Sequence, residues 1–173
     1  GLFDAILVGR RGISAVQQMF MGSVSAHLVE NSPVIPVWLV DGDVRSTRVM
    51  AAVDGSESSL RAVDHLAFML SGNPETRVCF FHVAPRLKDF CETNFGAEAG
   101  AGLETLITQG DRRCMDGFFP AALTKLREAG FRDDQIETRT ATTLVSVGET
   151  ILTAAREGGF GAIVMGRRGM NKS

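Results

Sequence analysis

Four small residues at fixed spacing pose the first chemical question. In "VGRRGISAVQQMFMGS" (8–23), Gly9 and Gly12 bracket a turn after an apolar run, and Gly22 and Ser23 come ten residues later. Glycine lets a ligand approach the main chain closely. Amide groups at turns and helix N-termini hold phosphate oxygens through hydrogen bonds and the helix dipole. No Gly-Lys-Ser/Thr follows, so the stretch is not a Walker loop, and it lacks the dinucleotide G-x-G-x-x-G pattern. A second cluster is "VDGSESS" (53–59), just after another apolar run. Asp54 could accept hydrogen bonds from ribose hydroxyls or an adenine amino group. It could equally cap the helix that follows, as could Ser56. Arg10 and Arg11, and Arg167 and Arg168, either neutralise phosphates or are solvated loop charges. His27, His65 and His82 have no spaced metal partner and carry no assigned role.

These residues need a scaffold, and the apolar pattern supplies one. The runs at 4–9, 34–40, 48–54, 77–83 and 161–166 are nearly continuous, as in parallel strands covered on both faces. A more polar run, 136–140, fits an edge strand. Pro36 interrupts the run at 34–40, which also favours an edge. Between the runs, apolar residues recur at helical spacing around Val16–Leu28, Leu60–Leu70, Phe119–Leu126 and Val147–Ala155. Gly72, Gly130 and Gly158-Gly159 mark helix stops. Alternating strands and helices predict a doubly wound open parallel sheet with helices on both faces. Asp54 then sits beyond the carboxyl end of a strand, where ligands bind in such sheets if the winding reverses there. Residues 86–117 read as irregular, with a flexible Gly/Ala excursion at 96–102 and a helix resuming near Leu103 or Arg112.

The 173 residues are 45% hydrophobic and 22% charged, with net charge −2. That balance argues against a nucleic-acid partner. No apolar run reaches the ~20 residues that span a bilayer. Three widely spaced cysteines suit neither a disulfide framework nor a zinc site, so a cytoplasmic location is expected.

"DAILVGRRG" (4–12) is nearly repeated as "GAIVMGRRG" (161–169). The interval is too long for a solenoid repeat and suits two copies of one α/β domain. Residues 1–40 then end a first copy, 41–47 link, and 48–173 form a second copy without its last helix and strand. The seven-residue linker reaches at most roughly 23 Å. Returning along a strand already takes about 17–20 Å, before any sideways movement. Residues 1–40 and 48–173 are therefore expected in different sheets. The chain is either a fragment of a longer tandem protein or exchanges segments with a second chain.

The opening "VMAAVDGSESSLRAVDHLAFML", the "FFHV" at 80–83 and the closing "VGRRGISAVQQMFMGSVSAHLVENSPVIPVWLV" together resemble the universal stress protein family. Gly9, Gly12, Gly22 and Ser23 match that family's G-x2-G-x9-G-(S/T) nucleotide motif. The resemblance implies a five-stranded parallel sheet of order 3-2-1-4-5, of the adenine nucleotide α-hydrolase type. It implies binding of ATP, or of AMP, with Mg as a companion of the nucleotide. Ala52, Val53, Asp54 and Val83 would line the adenosine pocket. Gly9, Gly12, Gly22, Ser23 and Val24 would cradle phosphates, and Gly166 and Gly169 would begin the second copy's loop. It also implies dimers or tandem pairs joined through the fifth strand, so a homodimer, or on the linker argument a segment-swapped dimer, is expected to pair there. One departure matters: the second copy lacks its Gly-Ser half and the first lacks its aspartate strand, so neither copy holds a whole site.

Three functions compete on these residues. The first is a nucleotide-binding regulatory protein of the stress response rather than an enzyme; weak ATP hydrolysis stays open to it, although no designated base or metal-binding carboxylate pair stands near the glycines. The second is a dimerisation module without nucleotide. The third is an ATP-pyrophosphatase-type enzyme, whose Ser-Gly-Gly-x-Asp-Ser loop is here "DGSESS".

Overall fold

The computed structural model describes residues 3–9, 23–32, 35–42, 44–90, 97–143 and 145–167, and the chain divides into two units, 1–45 and 46–173. Each is described on its own.

In the first unit, β1 (Ile6–Gly9) pairs in parallel with β2 (Val37–Val40), Ile6 opposite Val37 and Gly9 opposite Val40. Helix α1 (Ser23–Asn31) connects them. Pro36 falls one residue before β2, where its missing N–H costs no ladder bond, while its carbonyl accepts from the Ile6 amide at 2.9 Å.

The second unit is a four-stranded parallel sheet of β3 (Arg48–Val53), β4 (Arg77–Ala84), β5 (Ile136–Thr142) and β6 (Ala162–Met165), in the order β5-β4-β3-β6. This is the 3-2-1-4 part of the expected order. β1 and β2 pair in a separate two-stranded sheet, so among the described residues no single sheet carries all five strands. β5 lies at the edge and is exposed along most of its length, as its polar sequence predicts.

Period-two alternation divides the core of this unit between two faces. Val49, Ala51, Val53, Val78 and Phe80 face α2 (Glu57–Leu70) and α3 (Ala97–Glu128), meeting Val63, Leu66, Met115, Phe118, Ala122 and Leu126. Met50, Cys79, Phe81 and Val83 face α4 (Val147–Glu157), packing with Ile151 and Ala155. The helices stop as the glycines predict: Gly72 and Gly130 have φ of 79° and 92°.

Helix α3 corrects the reading of residues 97–102 as a flexible excursion and starts before the Leu103 or Arg112 expected for it. The segment is helical from Ala97 through Gly100, Gly102, Gly110 and Gly117. Each glycine costs about 1 kcal/mol in an exposed helix. Alanine offsets part of this, and tertiary contacts from Glu104, Asp111 and Met115 supply the rest.

Candidate functional site

The winding of the second unit reverses between β3 and β6. From β3 the chain crosses through α2 to β4 on one side, whereas β6 pairs on the other. Beyond the carboxyl ends of two such strands is where open α/β sheets take ligands.

Asp54 stands at the end of β3. Its Oδ1 accepts from the Ser56 amide at 3.1 Å and from the Ser59 hydroxyl, while the Asp54 amide donates to Ser59 Oγ at 3.2 Å. Ser56 is the N-cap of α2, its Oγ accepting from the Ser59 amide at 3.1 Å. The sequence "DGSESS" thus folds as a closed hydrogen-bonded turn in which Ser56, not Asp54, caps the helix. Asp54 is oriented by that turn. Gly55 allows it by taking φ of 78°, and a β-carbon there would run into Cys114 Sγ of α3.

The other predicted residues of this unit come to the same edge. Val53 is opposite His82 in the ladder, so Val83 lies one step further along β4. Val83 is buried toward α4 and Val53 toward α3, and Ala52 is buried on the same pleat face as Met50. Gly166 follows Met165, the ladder partner of Ala52, and so reaches the edge beside Val53. A β-carbon at Gly166 would meet the Ser58 hydroxyl at 2.6 Å and the Ser58 carbonyl carbon at 2.7 Å. The structure therefore brings together Ala52, Val53, Asp54, Val83 and Gly166. In the first unit Gly9 ends β1, its carbonyl accepting from Ser25 Oγ at 2.9 Å, Ser23 begins α1 and Val24 is exposed. Gly12, Gly22 and Gly169 lie outside the described residues, as do Arg10, Arg11 and Arg168.

Two residues absent from the sequence reading of the site join it. His82 is buried, its Nδ1 2.9 Å from the Val53 carbonyl and its Nε2 3.0 Å from both carboxylate oxygens of Asp111 on α3. Asp111 falls within the segment read as irregular, where no periodicity pointed to it. Nearby, Glu104 of α3 accepts from the Leu87 amide at 2.8 Å. On the α4 face, burial and then the Glu137 charge push the Cys79 thiol up to about 12. No group of three or more metal-ligating side chains occurs among the described residues, and none of their helices is long and apolar enough to cross a membrane.

Comparisons with known proteins agree with this architecture. A protein of the universal stress protein family from Burkholderia pseudomallei is 23% identical over 70% of this chain and 81% of its own, with a TM-score of 0.51. The universal stress protein UspA from Lactobacillus plantarum is 14% identical over 75% of this chain and 83% of its own, with a TM-score of 0.52. These likenesses show the fold. No curated protein matches the chain. The model of the universal stress protein family matches residues 3–41 and again 46–172, and the chain belongs to that family.

Proposed function

We propose that the second unit holds the nucleoside end of an adenine nucleotide, ATP or AMP, in a regulatory role in the stress response rather than as an enzyme, a whole site needing the Gly-Ser half from further sequence or from a second chain. The observation that carries this reading is the convergence of the Asp54 turn and Gly166 at the winding reversal between β3 and β6. The residues there suit the nucleoside end of such a ligand. Ala52 and Val83 are buried at this edge and would form the apolar floor under a base, and Asp54 offers a carboxylate already oriented by Ser56 and Ser59 to ribose hydroxyls or the adenine amino group. Gly9, Gly12, Gly22, Ser23 and Val24 would hold phosphates in a first-copy site, and Gly166 and Gly169 would begin the equivalent loop in the second, with Mg accompanying the phosphates.

Residues 1–40 and 48–173 are, on this reading, parts of two successive stress-protein domains. The outer edge of β6, unpaired among the described residues, would take a fifth strand as β1 takes β2. A homodimer or segment-swapped dimer supplies that strand. The same edge, with Met165 56% exposed, supports a second reading as a dimerisation module without nucleotide.

Thermal unfolding of the full chain tests the first reading. A ligand that binds only the folded state raises its stability by about 2.7 kcal/mol at a hundred times its Kd. ATP or AMP is expected to raise the unfolding midpoint in a concentration-dependent way. No rise with either nucleotide favours the dimerisation module.

A further inference from the structure

Helix α3 approaches the proposed site through charged groups, not only through its apolar stripe. Met115, Phe118, Ala122 and Leu126 hold its lower half in the core. Asp111 continues the same face one turn above Met115, and there meets His82. The His82 side chain is 4% exposed and that of Asp111 12%. Each ring nitrogen of His82 faces an acceptor: the Val53 carbonyl can only accept, so Nδ1 donates to it, and Nε2 is directed between the two Asp111 oxygens.

The contact is therefore a chain from α3 through β4 to β3. It runs from Asp111 to His82 to the Val53 carbonyl, which belongs to the peptide unit that joins Val53 to Asp54. Two further contacts secure the same stretch of α3: Cys114 against Gly55, the residue after Asp54, and Glu104 on the Leu87 amide beyond β4. Asp54 and Val83 are thus flanked by groups tied to one helix.

We infer that His82 and Asp111 are positioning residues for the nucleoside end of the adenine-nucleotide site, Asp111 fixing the His82 ring and His82 fixing the peptide that carries Asp54. This rests on the nucleotide reading of that site. Neither side chain touches the ligand. Both set the separation of Asp54 from Val83. Because phosphates would be held elsewhere, the pair governs affinity for the nucleoside portion alone.

Calorimetric titration of the full chain with ATP and, separately, with adenosine tests the inference in the wild type, Asp111→Ala, Asp111→Asn and Val63→Ala. Asp111→Ala is expected to weaken both ligands by the same factor, about tenfold, the loss that removing one charged hydrogen-bonded contact brings. Asp111→Asn, whose amide can still bond Nε2, is expected to lose less. Val63→Ala opens a cavity under α2 away from the edge and lowers stability, yet should leave both affinities within about twofold. The inference is overturned if Asp111→Ala and Asp111→Asn bind as the wild type does, if ATP is weakened but adenosine is not, or if Val63→Ala loses as much as Asp111→Ala. A wild type that binds neither ligand removes the nucleotide reading itself, a failure visible before any variant is made.

Discussion

Gly166 lies against Ser58: a β-carbon at position 166 would stand 2.7 Å from the Ser58 carbonyl carbon. That neighbour is backbone in the first turn of α2, and no side-chain rotation can clear it. The family resemblance takes this glycine as the start of a nucleotide-binding loop. The contact shows that it is first of all room for the helix, so that β6 can end beside the Asp54 turn.

Gly166→Ala is accordingly expected to destabilise the fold by about 1–3 kcal/mol, the usual range for overpacking. Urea unfolding measures this in the absence of any ligand. Unchanged stability would mean that the two elements part easily.

Gly55 combines a positive φ with a steric limit at Cys114. Gly55→Ala should cost more than the roughly 1–2 kcal/mol of a left-handed alanine alone. Adding Cys114→Ala should recover the steric part and leave the conformational part. Urea unfolding of the single and double variants separates the two, and equal losses would show that Cys114 is no obstacle.

Ser56 and Asp54 divide the two tasks that the sequence left open. Ser56→Ala removes the cap of α2 and should cost about 1 kcal/mol of stability, measured by thermal unfolding. Its effect on ATP affinity should be small beside that of Asp54→Ala. If Ser56→Ala abolishes binding while stability holds, the division is wrong.

Cys79 gives a dependence on alkaline pH. Its thiol titrates at 9.0 when free and at about 12 in the folded chain, mainly because it is buried. Between these values the unfolded chain has released a proton that the folded chain keeps. The contribution to stability is whole below about pH 9 and is lost as pH rises toward 12. Denaturant midpoints should fall over this range, and more gently in Cys79→Ala. Tyrosine does not complicate the curve, since the sequence has none. Equal slopes in the two proteins would contradict the burial of this thiol.

The strands were legible because β3 and β4 are buried on both faces and so read as unbroken apolar runs. β5 was legible for the opposite reason, its polar residues marking an edge. The upper half of α3 was not legible. Its glycines lower helix propensity, and the inward face that Met115 and Phe118 begin is continued by Asp111 and Glu104. A carboxylate used inwardly gives no hydrophobic period. For the same reason His82 read as one histidine in an apolar strand, its partner being 29 residues away on another element. The roles of Asp54 and Ser56 could not be separated by spacing, since both suit a cap, and the hydrogen bonds separated them.

The most direct test of the account is calorimetric titration of the full chain with ATP, paired with Asp54→Ala shown by circular dichroism to be folded. The account predicts saturable binding by the wild type and its loss in Asp54→Ala. Equal binding by the two proteins, or none by a folded wild type, would contradict it.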